Sequence, residues 1–361
     1  MISIKSYSRY LMVGLLIGLS AGSCKTESKP PADAPKEVQP NWPTNGWTYA
    51  DSSRTAPFRK AIDSFAGTYS LVVVQDGSIL FDHYQTPYAK DSLIHVNSCT
   101  KTLIALLFGA VFETDFGQQE NRPITAFFPE YAIKDPKMHE IQVKHLLAMN
   151  SGLRWEGGID ANDVIQMSET EDWARYVFAR DIMEPPGTAF HYNSGGSQVV
   201  ATLLHRQTPE GLLAYAQKQL FEPMGISNYE WDLTPKGIPK AGWGLHMNME
   251  DLAKLGYLAV NKGQWGSDQL VPAAWITQMY ANPIPANSAY DYGYQVWLPK
   301  ALGTEVILFR GSYPPSTKIV AVIPEFNAVM VYVGENYNTN DLLREHIIPI
   351  LRGEKAPMAS P

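Results

Sequence analysis

Ser98 and Lys101 stand three residues apart at the head of the apolar run Thr102 to Phe112. Leu103, Ile104, Leu106, Leu107, Phe108, Val111 and Phe112 cover nearly every side of a helix, which predicts a helix buried all round. A spacing of three places Ser98 and Lys101 on one face of its first turn. A lysine drawn into an apolar core loses hydration, so its neutral amine is favoured. Such an amine can take the proton of a serine hydroxyl, and the helix N-terminus adds partial positive charge where an alkoxide develops. Taken alone, Ser-x-x-Lys is far more often an N-cap serine beside a snorkelling lysine.

Two further stretches change the balance. The first is Pro186-Gly187-Thr188-Ala189-Phe190-His191-Tyr192-Asn193-Ser194-Gly195-Gly196. In an extended loop Tyr192 and Ser194 point the same way. A tyrosine near a lysine can be held as phenolate or can relay protons. By itself this is also a turn tyrosine followed by a helix cap. The second is Arg310-Gly311-Ser312-Tyr313-Pro314-Pro315, between two strand-like runs, which alone would be a simple connecting loop.

The three stretches in this order resemble the serine β-lactamase-like superfamily, in its branch of class C β-lactamases, D-alanyl-D-alanine carboxypeptidases and esterases. His145-Leu146-Leu147-Ala148-Met149-Asn150-Ser151-Gly152-Leu153, Ala241-Gly242-Trp243-Gly244-Leu245, Tyr292-Gly293-Tyr294 and Ile323-Pro324-Glu325 resemble further family segments, from about residue 60 to 350. The resemblance implies that Ser98 is the nucleophile of an acyl-enzyme, Lys101 its activating partner and Tyr192 the base or proton shuttle. Ser194 stands where the family's Tyr-x-Asn has asparagine. This Tyr-x-Ser form is similar to that of 6-aminohexanoate-dimer hydrolase-like and some esterase-like members, and it loses an amide that contacts a β-lactam side chain. Where the family has Lys-Thr-Gly or His-x-Gly, the chain has Arg310-Gly311-Ser312 or, one residue on, Gly311-Ser312-Tyr313. The residue after this motif gives a backbone N–H to the oxyanion hole, with the nucleophile's own N–H as partner. In the second register that residue is Pro314, which has no N–H. The first register is therefore preferred: Tyr313 is the donor, and Arg310 helps keep Lys101 neutral or binds a substrate carboxylate.

These groups need elements to position them. Tyr69 to Val74 and Ile79 to Tyr84 flank Asp76-Gly77, a hairpin signal. Tyr294 to Leu298, Val306 to Phe309, Ile319 to Ile323 and Ala328 to Val333 are expected as strands, with Asp341 to Leu351 a closing helix. Between about 100 and 285 the pattern is mostly helical. The expected fold is α/β (α+β): an antiparallel sheet built from both chain ends, flanked by helices, with an inserted mainly helical domain. The sheet part would comprise about 46–97 and 286–361, the helical part about 98–285, and the catalytic groups would meet at the seam.

The 361 residues are 45% hydrophobic and 18% charged, with a formal net charge of −7 and no basic block, which speaks against a nucleic-acid partner. Lys5 and Arg9, the apolar run Leu11 to Leu19 and then Ser20-Ala21-Gly22-Ser23-Cys24 form a secretory signal over 1–23, too short to span a membrane comfortably. Cys24 resembles the acylated cysteine of bacterial lipoproteins, although Ala21 departs from the usual leucine. Residues 24–45, with Pro30, Pro31, Pro35, Pro40 and Pro43, are expected as an unpacked tether before the body at 46–361. The expectation is an exported protein on the periplasmic side of a bacterial envelope, lipid-anchored through Cys24. The only other cysteine is Cys99, about 100° round the helix from Ser98 and expected as a buried filler.

No H-E-x-x-H, C-x-x-C or phosphate-binding glycine loop occurs, and the one G-x-S-x-G, Gly18-Leu19-Ser20-Ala21-Gly22, falls inside the expected signal segment. The expected activity is hydrolysis of a small-molecule ester, amide or peptide-like substrate, without metal or cofactor. The competing expectations are a β-lactamase or D-Ala-D-Ala carboxypeptidase, and a non-catalytic penicillin-binding sensor on the same fold.

Overall fold

The structure, a computed structural model, describes residues 41–354 except 52, 54, 57–58, 60–61, 63–66, 157–161 and 336–337. Cys24, the signal segment and the tether up to Pro40 lie outside the described residues. The end of the expected tether is packed, not free. Trp42 lies with its ring 5.7 Å from Tyr257 and 5.5 Å from Trp265, and the Trp265 indole N–H donates to Thr44 Oγ1 at 2.8 Å. An indole buries too much apolar surface to stay in a loose linker. The body therefore begins near residue 41 rather than 46.

Strands β1 (Thr48–Tyr49), β2 (Thr68–Gln75) and β3 (Ser78–Tyr84) come from the N-terminal end. Asp76 and Gly77 turn the chain between β2 and β3 with φ of 51° and 76°, the two positive values of a type I′ turn. β4 (Ile94–His95), β5 (Tyr229–Trp231) and β6 (Leu245–Met247) form a small separate sheet in the order β4-β6-β5. A short hairpin of β7 (Gln264–Trp265) and β8 (Asp268–Gln269) follows. From the C-terminal end come β9 (Ile284–Pro285), β10 (Tyr290–Tyr292), β11 (Trp297–Pro299), β12 (Ile307–Tyr313), β13 (Ser316–Ile323) and β14 (Ala328–Glu335).

The nine-stranded sheet has the order β1-β3-β2-β14-β13-β12-β11-β10-β9. Its pairings are antiparallel except for β1 with β3, and β2 beside β14 joins the two chain ends. The fold is thus the expected α/β arrangement. The central strands read as nearly unbroken apolar runs because both faces are covered. Val72, Val74, Val320, Val322, Val329 and Val331 enter the core under the helical region. Leu71, Val73, Ile319, Ala321, Met330 and Tyr332 face a second core with Leu342, Leu343 and Ile347 of the closing helical segment. This is the period-two alternation of a strand with two buried sides.

Three long helices organise the rest: α1 (Thr100–Phe112), α2 (Ser194–Gln207) and α3 (Met249–Val260). α1 is buried from Thr100 to Ala110, as its all-round apolar pattern predicts. α3 lies so close to the sheet at Gly256 that a Cβ there would stand 2.6 Å from Val329 and 2.7 Å from Val320. One expected strand is shorter than anticipated. Extended pairing starts at Trp297 instead of Tyr294, because Gln295 adopts a left-handed φ of 57°. Among the described residues no helix is long and apolar enough to cross a membrane.

Candidate active site

The chain leaves β4 at His95 and turns sharply at Asn97, whose φ of 52° is one that asparagine tolerates better than most residues. Asn97–Cys99 form a single 3₁₀ turn, and α1 follows at once. Thr100 Oγ1 donates to the Asn97 carbonyl at 2.7 Å and braces the turn. Asn97 and Cys99 are buried while Ser98 between them is partly open. Cys99 Sγ turns away toward the Lys318 carbonyl at 3.6 Å, and burial pushes its thiol pKa up to about 12. A thiol so high is no thiolate nucleophile at neutral pH.

Lys101 is 1% exposed. Its Nζ stands 3.0 Å from Ser98 Oγ and donates to the Gly242 carbonyl at 2.6 Å. No carboxylate pairs with it among the described residues, and loss of hydration brings its pKa down to about 7. A large fraction of Lys101 is therefore a neutral amine near pH 7. One N–H can stay on Gly242 while the lone pair faces the Ser98 hydroxyl.

Tyr192 closes the third side, with its ring centroid 4.9 Å from Lys101 Nζ. It keeps part of its surface open although it lies deep among protein atoms. That depth raises its pKa, opposed by hydrogen bonding with Ser98 and by the charge of Arg310. The phenol therefore holds its proton in the resting site, which favours the proton-relay role over a standing phenolate. The Tyr192 ring lies against Trp297 at 5.9 Å and Tyr292 at 6.4 Å, and Phe190 extends this aromatic wall.

Ser194 behaves differently from the expectation. Asn193 caps α2 by accepting from the Gly196 N–H at 2.9 Å, so the helix opens at Ser194 and the extended loop ends at Tyr192. Ser194 is 5% exposed and packs on Gly242, where a Cβ would stand 3.0 Å from its own. It therefore packs beside the Gly242 backbone whose carbonyl receives Lys101, and it is less open than Tyr192.

The third stretch runs along β12. A Cβ on Gly311 would overlap the Val96 carbonyl oxygen and stand 2.9 Å from Ser98 N. Only glycine lets the strand come this close to the nucleophile's turn. The preferred Arg310-Gly311-Ser312 register put Ser312 at the motif's glycine position, whereas the close approach is made by Gly311. The glycine beside the nucleophile's turn is thus Gly311, and the residue after it along β12 is Ser312 rather than Tyr313. Tyr313 lies further along β12 and is 45% exposed. Arg310 lies over the rings of Tyr290 at 5.2 Å and Trp297 at 5.9 Å, and no carboxylate pairs with it among the described residues.

Three positioning features were not visible in the sequence motifs. The Gly242 carbonyl that receives Lys101 is held by Gln198 of α2, whose side chain accepts from Ala241 N at 2.9 Å and donates to Pro239 O at 3.1 Å. Gln295 ties three elements together. Its carbonyl accepts from Thr102 Oγ1 at 2.7 Å, its Oε1 from Ser197 Oγ at 2.8 Å, and its Nε2 donates to the carbonyls of Leu146 and Leu147. The helix of Lys101, through the main-chain carbonyl, and the helix after Tyr192, through the side chain, are thereby fixed to one residue.

The β-lactamase family model matches residues 58–344. The chain belongs to the β-lactamase family. The fold of this β-lactamase-family chain is shared by several solved structures. A protein from Bacillus anthracis described as a 6-aminohexanoate-dimer hydrolase superposes with a TM-score of 0.70 at 18% identity, covering 86% of this chain and 89% of that one. The D-amino acid amidase of Ochrobactrum anthropi SV3, complexed with D-phenylalanine, gives 0.62 at 17% identity, covering 83% and 97%. A penicillin-binding protein from Bacillus halodurans gives 0.61 at 16% identity, covering 78% and 96%. At such identities the likeness is one of fold. No curated protein matches the sequence.

Proposed function

We propose that the protein is a serine hydrolase that cleaves an ester or amide through an acyl-enzyme on Ser98. The observation that carries this reading is the buried, carboxylate-free Lys101 amine 3.0 Å from the Ser98 hydroxyl. Neutral Lys101 takes the hydroxyl proton as Ser98 Oγ bonds to the substrate carbonyl carbon, whose π electrons move onto oxygen. The N–H groups of Ser98 and Ser312 receive that oxyanion, Ser312 being the residue after the close-approach glycine. Tyr192 passes its phenolic proton to the leaving oxygen or nitrogen and is reprotonated from Lys101. Water then adds to the acyl carbonyl, again losing a proton to this pair, and releases the acid and Ser98.

The surroundings favour esters and amides over β-lactams. Ser194 carries a short hydroxyl and so offers no amide toward a β-lactam side chain. The partly open rings of Phe190, Tyr290 and Trp297 suit an apolar or flat group on the substrate, and Arg310 beside them suits an anionic one. The names of the fold relatives, a 6-aminohexanoate-dimer hydrolase and a D-amino acid amidase among them, agree with that class.

The test is turnover of p-nitrophenyl acetate, p-nitroanilides and nitrocefin by wild type and Ser98→Ala. Ester or anilide hydrolysis abolished in Ser98→Ala is the expected result. Nitrocefin turned over fastest would move the substrate class to β-lactams, and no turnover of any would overturn the enzyme reading. Export and acylation at Cys24 are part of the same proposal, read from the sequence. Mass spectrometry of the mature N-terminus tests them, and an unmodified residue there would overturn the anchor.

A further inference from the structure

Three lysines are at least nine-tenths buried among the described residues: Lys101, Lys254 and Lys318. Lys254 is paired with Asp251 at 2.8 Å, and Lys101 serves Ser98. Lys318, 7% exposed, donates to the Ser316 hydroxyl at 2.9 Å, and among the described residues no carboxylate pairs with it. Burying an ammonium without a counter-charge is costly, so a lysine bonded only to a neutral hydroxyl among the described residues suits an anionic occupant. Lys318 lines a cavity of about 490 Å³, together with Tyr88, Ser92 and His95. That volume is within the range of small-molecule sites.

The groups facing this cavity leave the charge uncompensated. His95 Nε2 accepts the Gly244 N–H at 3.1 Å, and burial lowers the ring's pKa, so the imidazole is neutral. The Cys99 thiol is also neutral. Glu335 lies opposite Ser316 in the strand register, but the Tyr69 hydroxyl donates to it at 2.6 Å and it makes no ion pair with Lys318. The cavity also adjoins the nucleophile's turn. Lys318 pairs with Gly311 across β12 and β13, its carbonyl receives Cys99 Sγ, and His95 is three residues before Ser98.

We propose that the Lys318 cavity binds a small carboxylate, carried by the molecule that Ser98 acylates from or present as a free anion. The carboxylate would accept from Lys318 Nζ, in the cavity that Ser92 and Tyr88 also line. The binding site stands without the hydrolase reading; only its use for substrate rests on that reading.

The experiment is calorimetric titration with succinate of wild type, Ser98→Ala and Lys318→Met. Lys318→Gln, whose amide can still bond Ser316, serves as a second variant should Lys318→Met fail to fold. One succinate is expected to bind both wild type and Ser98→Ala, and at least tenfold more weakly to the Lys318 variant. The source follows from the kcat/KM ratio of 4-acetoxybenzoate to phenyl acetate. A tenfold fall of that ratio in the variant assigns the carboxylate to the substrate, and an unchanged ratio with lost succinate binding assigns it to a free anion. No binding to wild type, or equal binding to the folded variant, would overturn the proposal. Absence of turnover of every ester and amide tried would sink the hydrolase reading and leave the succinate result standing.

Discussion

Gly311 and Ser98 meet backbone to backbone, so close that a methyl group on Gly311 would stand 2.9 Å from Ser98 N and overlap the preceding Val96 carbonyl. Neither neighbour is the end of a flexible side chain, so relief requires the strand or the turn to move. Gly311→Ala is expected to lower stability by about 1–3 kcal/mol, the usual cost of overpacking. It should also slow acylation of Ser98 by about a hundredfold, since small misplacements of reacting groups carry such losses. Urea unfolding and single-turnover kinetics check both.

The titration of Lys101 gives a pH profile with a defined sign. With its pKa lowered by burial to about 7, the neutral amine grows as pH rises through that value. kcat/KM for a neutral ester should therefore rise between pH 6 and 8, with a midpoint near 7. Stability follows the same group. Between about 7 and the ordinary 10.5 the unfolded lysine holds a proton that the folded one lacks, so stability should increase with pH across that window. Lys101→Met should remove the activity and flatten this slope, read from urea midpoints at pH 7 and 9.

Tyr192 is expected to matter in proportion to the leaving group. It is a phenol held protonated by burial, and its proton is needed when an amine departs. Tyr192→Phe should lower kcat on a p-nitroanilide by about 10²–10⁴-fold, the usual worth of a placed acid or base. Deacylation-independent bursts with p-nitrophenyl esters, whose leaving group departs as an anion, should fall much less. Equal losses on both substrates would assign Tyr192 to positioning instead of proton transfer.

Gln198 acts through the Gly242 carbonyl, which is the nearest acceptor to Lys101. Gln198→Leu leaves the Ala241 N–H without its partner in a buried place, at a cost of about 1–3 kcal/mol. It should also shift the pH–rate midpoint, because the Lys101 amine loses its fixed acceptor. A stability loss with an unmoved midpoint would make Gln198 merely structural.

Legibility in the sequence followed the range of the interaction. Ser98 with Lys101, and the Asp76-Gly77 turn, were readable because the groups are a few residues apart and local geometry places them. The two-ended sheet was readable from strand-like runs at both ends. Gly242 was not, since it acts through a backbone carbonyl 141 residues from Lys101 and carries no side-chain signature. Ser194 was misplaced because two-residue alternation was applied across Asn193, where the cap ends the extended chain. The register at Gly311 needed the approach of β12 to the Ser98 turn, a contact between strands and helix that spacing alone does not contain. Gln295 gave a negative clue only: it interrupts a strand-like run that its left-handed backbone then breaks.

The most direct measurement is intact-mass detection of labelling by a fluorophosphonate probe on wild type, Ser98→Ala and Lys101→Ala. An activated Ser98 predicts one adduct on wild type, mapped to the peptide containing Ser98, absent from Ser98→Ala and slowed at least a hundredfold in Lys101→Ala. An adduct that survives Ser98→Ala, or none on the folded wild type, would contradict the assignment of Ser98 as the nucleophile.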